Sequence, residues 1–220
     1  MAIRDLISRR GIDSLYHFTT TINLSGIYQV EHICPRSEYD TLRALANEDM
    51  YEDYLDHMDD LRLDGLNDHV NTSLSHPNVY LLNAYRQRKN LAHYTWCILQ
   101  LDPQLMERDE TLYTVTNAAS ARSSQYGIGK GEEGLNQLFI PEVITKKGAF
   151  KRKGLPAKYP TDIQAEVLIP GNISVDHIKT IYFETESDLS SCAGAFRLMG
   201  LADGTRLFKV NKSVFSPSRY

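Results

Sequence analysis

The spacing of apolar positions changes repeatedly along the chain, and each change marks an element. Ile3, Leu6 and Ile7 carry helical spacing and Gly11 supplies a stop, so the first ten residues predict a short amphipathic helix. Residues 14–19, Ser-Leu-Tyr-His-Phe-Thr, are aromatic and β-branched and predict a strand, after which Thr20 or Thr21 can cap a helix to about Tyr28. Residues 69–75 read as a second strand. Pro77 suits the first position of a helix whose Val79, Leu82 and Tyr85 share a face, with Arg86, Arg88 and Lys89 at its negative end. Residues 94–101 form a continuous apolar run of strand length, closed by Asp102-Pro103. Further strands are expected at 111–115, 162–169, 177–184 and 205–210, with a helix near 187–199 stopped by Gly200. The acid-crowded stretch 48–64 predicts a solvated helix or excursion. The pattern is α+β, and with no repeat and no dividing linker a single domain over residues 1–220 is expected.

Composition adds that a core is available. With 42% hydrophobic and 10% aromatic residues, wholesale disorder is excluded. Cys34, Cys97 and Cys192 are too few and too widely spaced for a disulfide framework or a C-x-x-C site, which points to a reducing cytoplasm. The N-terminus has charges breaking every apolar run, and no window approaches a membrane span, so a soluble, unexported protein is expected. The net charge of −4 announces no partner, but its distribution is uneven. Residues 1–145 hold 12 basic and 21 acidic side chains, whereas residues 146–220 hold 12 and 7.

Three segments could carry chemistry. In Asp-Ile-Gln-Ala-Glu-Val-Leu-Ile-Pro (162–170) a strand period would turn Ile163, Ala165, Val167 and Ile169 to one side and Gln164 with Glu166 to the other. A solvated strand face is the plain alternative. His17 shares a face with Leu15 and Thr19, and is either a satisfied structural histidine or a ring that holds a polar ligand. Asn71-Thr72-Ser73-Leu74-Ser75 concentrates hydroxyls on the second strand, which is weak alone.

Two other patterns are set aside. Gly129-x-Gly131-x-x-Gly134 has the letters of a dinucleotide fingerprint, but the Ser- and Ala-rich stretch before it gives no strand signal, so the glycines read as a flexible loop. The acids at 48–64, with His57, lack the spacing of a hard-metal loop and read as a solvated surface. By contrast Lys146, Lys147, Lys151, Arg152, Lys153 and Lys158 put six cations in thirteen residues, beside Phe150 and Tyr159, and lead directly into Gln164 and Glu166.

Taken in order, the His17 strand, the hydroxyl strand and the Q-x-E strand resemble the signature of the ADP-ribosyltransferase fold, in which NAD lies between two small split sheets flanked by helices. More narrowly, Leu15-Tyr16-His17-Phe18-Thr19 with Asn23-Leu24-Ser25-Gly26-Ile27, then Arg62-Leu63-Asp64-Gly65, then residues 159–168 resemble the DarT family of nucleic-acid ADP-ribosyltransferase toxins. Asp102-Pro103 and Asn117-Ala118-Ala119-Ser120 resemble its guanine-modifying branch rather than the thymine-modifying one.

The resemblance implies NAD consumed as a substrate, no metal, single-stranded DNA as acceptor and a cognate antitoxin within a toxin–antitoxin or phage-defence system. It implies Glu166 as the catalytic carboxylate and Arg62 on the NAD phosphates, assisting catalysis. His17, Thr19 and Asn23 would position NAD, with Thr72 and Ser73 supporting the ribose pocket. Gln164 would bind the target base, with Lys151, Arg152, Lys153 and Tyr159 on the substrate strand. Messenger RNA as acceptor, a protein side chain as acceptor, and a catalytically inert nucleic-acid-binding protein are the competing expectations.

Overall fold

The computed structural model describes residues 2–38, 65–121, 125–145 and 148–217. The acidic stretch 48–64, Arg62 within it, Lys146 and Lys147 lie outside the described residues. Helix α1 (Ile3–Arg10) ends on Gly11, whose left-handed backbone (φ 66°) returns its N–H to the Ile7 and Ser8 carbonyls. Strand β1 (Leu15–Thr20) passes directly into α2 (Thr21–Val30), because the Thr20 hydroxyl accepts from the Asn23 N–H and caps the helix. The short β2 (His32–Ile33) follows, then β3 (His69–Leu74), α3 (Val79–Arg86) and β4 (Trp96–Leu101). Asn78 rather than Pro77 starts α3: its Oδ1 accepts from the Leu81 N–H, which leaves the proline outside the helix. Val79, Leu82 and Tyr85 are buried on one face, as their spacing predicts.

Beyond β4 come β5 (Leu112–Thr114), α4 (Ala118–Ala121), β6 (Gly129–Lys130), α5 (Gly131–Gln137), and the hairpin of β7 (Glu142–Thr145) and β8 (Gly148–Lys151). The chain then forms β9 (Glu166–Pro170), β10 (Ile173–Ser174), β11 (Ile178–Phe183), α6 (Glu186–Leu198) and β12 (Phe208–Val210). Eight strands make one sheet in the order β12-β11-β4-β1-β3-β9-β5-β6, while β2 pairs with β10 and β7 with β8. Central β4 is buried on both faces. Cys97, Leu99 and Leu101 enter one core with Leu15, Leu24, Phe183 and Phe196, whereas Trp96 and Ile98 join a second with Leu82, Tyr85 and Phe215. That double burial is why this stretch reads as an unbroken apolar run.

The large sheet nearly divides at one joint. β1 pairs with β4 along six residues but with β3 at only two positions, Leu15 with Leu74 and Tyr16 with Ser73. Past Tyr16 the strands part, and His17 Nδ1 bridges to the Asn71 carbonyl at 2.9 Å. The expected pair of small sheets takes this form: β12-β11-β4-β1 and β3-β9-β5-β6, joined by two residue pairs.

Four expectations are corrected. Residues 161–165 form a turn, not strand, and β9 begins only at Glu166. The cause is Asp162, whose Oδ1 accepts from the Gln164 N–H (3.0 Å) and whose carbonyl accepts from the Ala165 N–H (3.0 Å). The glycines at 129–134 form no loose loop; β6 feeds straight into α5, and a Cβ on Gly129 would lie 2.6 Å from the Gly134 Cα. Part of the cationic run is strand β8 rather than loop. Residues 202–207 are a 3₁₀ turn, so the last strand is only Phe208–Val210.

Candidate active site

Strand register assembles the site from residues far apart in sequence. Glu166, the first residue of β9, stands opposite Ser73 on β3 and Thr114 on β5. Ser73 is opposite Tyr16, and Tyr16 is opposite Gln100 on β4. Paired residues of antiparallel strands share a face, so Gln100, Tyr16, Ser73, Glu166 and Thr114 form a polar row across the sheet. Gln100 is fixed within it, donating from Nε2 to Ser14 Oγ (2.8 Å) and accepting from Tyr182 O–H (2.9 Å). Ser73 Oγ accepts from the Asn78 N–H at 3.2 Å and so ties the end of β3 to the start of α3.

Glu166 is buried, at 3% exposure. Its Oε1 accepts from Asn117 Nδ2 at 3.2 Å and its Oε2 from the Ala118 backbone N–H at 2.8 Å. An isolated buried carboxylate is costly, and these donors hold it where solvent is excluded. Gln164 sits two residues earlier, half-buried, presented by the Asp162 turn rather than by a strand period. Asp162 itself is fully buried.

His17 and Thr72 lie on the other side of their strands from this row. His17 donates from Nδ1 to the Asn71 carbonyl, which can only accept, so Nε2 is the acceptor nitrogen of a neutral ring. Burial holds the imidazole below its usual range, against the opposing pull of the Asn71 hydrogen bond. Above the unfolded value of about 6.5 both states are neutral; below it the unfolded chain takes the proton that the folded ring resists. Stability is therefore lost as pH falls through that window. The melting temperature should drop between pH 7.5 and 5, and His17→Gln should lessen the drop. His76, likewise depressed by burial, leaves a residual slope of the same sign. An identical slope in the variant would contradict the assignment.

The other candidates have specific places. Thr19 is buried, and Asn23 lies in the first turn of α2. The Thr72 hydroxyl donates to the Val167 carbonyl at 2.7 Å, binding β3 to β9. Arg152 departs from the sequence expectation of a substrate cation: its guanidinium donates to the carbonyls of Tyr159 (2.7 Å), Pro156 (3.2 Å) and Ala157 (3.2 Å), and so shapes its own loop. Lys158 is paired with Asp13 at 2.7 Å. Lys151 and Lys153 remain exposed, beside an open depression of about 550 Å³ that Pro141, Glu142 and Arg152 also line. Tyr159 is half-buried under Lys158. These placements separate the cations by effect. Lys151→Ala with Lys153→Ala should lower the log–log salt slope of oligonucleotide binding by roughly 1.4 without changing the melting temperature. Arg152→Ala should instead lower the melting temperature. Equal salt slopes before and after the double change would remove those lysines from the interface.

Asn117, Thr114, Tyr16, Gln100 and Asp162 are members that sequence reasoning did not assign. Asp162 had a signal, an acid two residues before a presented polar group. The row had none within any single strand.

A family model described as "ssDNA thymidine ADP-ribosyltransferase, DarT" matches residues 16–213. This chain belongs to the DarT family. Solved members share its fold. Thermus sp. 2.9 DarT in complex with carba-NAD+ has a TM-score of 0.59 at 13% identity, covering 93% of this chain and 98% of that one. The same protein in complex with ADP-ribosylated ssDNA has a TM-score of 0.55 at 12% identity, covering 94% and 97%. Thermosipho africanus DarTG in complex with ADP-ribose has a TM-score of 0.58 at 17% identity, covering 92% of this chain and 51% of that one. No curated protein is significantly similar in sequence. By family, the chain is an ADP-ribosyltransferase of single-stranded DNA. Among the described residues no cluster of side chains suited to a metal ion occurs, and no helix is long and apolar enough to cross a membrane.

Proposed function

We propose that this chain, as one ADP-ribosyltransferase domain over residues 1–220, moves ADP-ribose from NAD+ to a base of single-stranded DNA, with guanine favoured over thymine. The observation that carries the reading is Glu166, a buried carboxylate held by Asn117 and Ala118 in a family-matched fold. In the reaction the nicotinamide–ribose C–N bond breaks and its electron pair leaves with neutral nicotinamide. The ribose carbon develops oxocarbenium character, which a fixed anion stabilises more than it stabilises ground-state NAD+. A base nitrogen lone pair forms the new bond to that carbon, and the nitrogen's proton passes to the Glu166 carboxylate and then to solvent.

The remaining roles rest on the family resemblance. By that resemblance His17, whose Nε2 is the acceptor nitrogen, Thr19 and Asn23 would position NAD. Thr72 and Ser73 brace the pocket through their internal bonds. Arg62 would pair with the phosphates. Gln164 would read the base edge, since an amide both donates and accepts. Lys151 and Lys153 would meet the strand's phosphates, and Tyr159 would stack.

Guanine is favoured because the Asp102-Pro103 and Asn117–Ser120 motifs resemble that branch. A toxin's part in a toxin–antitoxin or phage-defence system, with a cognate antitoxin, completes the reading. The test is an intact-mass measurement on oligonucleotides that each contain a single type of reactive base. Guanine-containing DNA should gain ADP-ribose; gain only on thymine overturns the base preference, and gain only on RNA overturns the acceptor class.

A further inference from the structure

We propose that Asn117 is a positioning residue for the transfer reaction, fixing the plane of the Glu166 carboxylate while leaving its charge intact. The inference rests on the function proposed above and gives a role to a residue that the Asn117–Ser120 motif names without one.

The Glu166 carboxylate presents two oxygens to its surroundings. Each accepts from one of two consecutive residues, Oε1 from Asn117 Nδ2 and Oε2 from the Ala118 N–H. Two bonds at opposite oxygens remove rotation about the last side-chain torsion, which is otherwise broad. The donors come from a constrained segment. Thr114, in register with Glu166, ends β5, and its Oγ1 donates to the Thr116 carbonyl at 2.7 Å. The Ser120 N–H then returns to the Asn117 carbonyl at 2.9 Å, and Val115 and Ala118 are buried on either side. The chain leaves β5 beside Glu166 and turns back over it.

The chemistry explains why an amide suits this place. A lysine or arginine there would orient the carboxylate but cancel much of the field meant for the developing cation. An aspartate would repel it. A neutral donor fixes orientation and leaves the full negative charge directed at the ribose carbon. Half-buried Asn117 would hold this geometry before substrate arrives.

Steady-state transfer from NAD+ to a single-stranded oligonucleotide, with melting curves, should be compared for wild type, Asn117→Ala, Asn117→Ser and Asn117→Asp. Asn117→Ala should lower kcat roughly 10- to 100-fold with KM for NAD+ little changed, the pattern of lost orientation. Asn117→Ser, which keeps a donor, should recover part of the loss, and Asn117→Asp should be slower than Asn117→Ala. Unchanged kcat in Asn117→Ala, or a raised KM with kcat intact, overturns the proposal; if that variant does not fold, the order of Asn117→Ser above Asn117→Asp decides it. A second measurement needs no turnover: ¹³C NMR titration of the Glu166 carboxyl should shift to higher pH when the Asn117 donor is removed. An unmoved midpoint overturns the proposal even if wild type modifies no nucleic acid, a result that would separately end the functional reading.

Discussion

Glu166→Gln should abolish base modification, lowering the single-turnover rate at least about 10³-fold. The substitution keeps shape and removes charge. A lost electrostatic contact to a developing charge costs about 10²–10³, and loss of a positioned proton acceptor about 10²–10⁴. The two do not multiply, since one group serves both. Oligonucleotide affinity should stay near wild type, because the carboxylate lies below the surface at 3% exposure. Stability should fall as well. The two described donors, Asn117 Nδ2 and the Ala118 N–H, are both N–H groups, so a glutamine amide can turn its oxygen to only one of them and must face the other with hydrogens. A buried unpaired donor of this kind costs about 1–3 kcal/mol. Rapid-quench mass analysis and a melting curve read both effects. A variant retaining a tenth of the wild-type rate would show that the barrier is lowered elsewhere.

The second large effect is structural and lies at the glycines. Gly134→Ala places a Cβ 2.6 Å from the Gly129 carbonyl carbon and 3.0 Å from its oxygen. Neither backbone can yield easily, since Gly129 is paired with Tyr113 on β5 and the neighbouring Leu135 is fully buried. Overpacking against backbone should cost about 2–3 kcal/mol or more, a fall of roughly 5–10 °C in melting temperature at this size. Activity should fall too, because β5 leads into the Asn117 segment. Gly131→Ala is the internal contrast: its φ of +65° is strained for alanine, but beyond its chain neighbours and its own helix backbone nothing lies within 4 Å of the added carbon. It should cost about 1–2 kcal/mol. Melting temperatures in the reverse order would refute this account of the close approach.

Apolar spacing made α1 legible, aromatic and β-branched content made β1 so, and β4 stood out as an unbroken apolar run because both its faces are buried. Spacing failed where local polar bonds compete with period. The alternation over 162–169 is genuine, yet Asp162 folds it into a turn until Glu166. At Gly129–Gly134 a two-residue strand is too short to signal, and close backbone contact leaves no trace in one-dimensional spacing. Glu166 was visible through its motif and Ser73 through the resemblance, but their juxtaposition was not. Tyr16, Ser73 and Thr114 reach it through the register of four strands, which no single segment encodes. The uneven charge was also half legible. Composition showed the cations after residue 145, but only the fold shows Arg152 spent on carbonyls and Lys158 on Asp13, while Lys151, 3.8 Å from Glu142, and Lys153 are exposed.

The central claim is that the chain couples cleavage of NAD+ to modification of a DNA base through Glu166. Its most direct test supplies NAD+ labelled in the adenine ring together with single-stranded DNA, and measures labelled DNA and released nicotinamide side by side. Wild type should produce the two in equal amounts, and Glu166→Gln neither. Nicotinamide released without labelled DNA, or label found on protein alone, would contradict it.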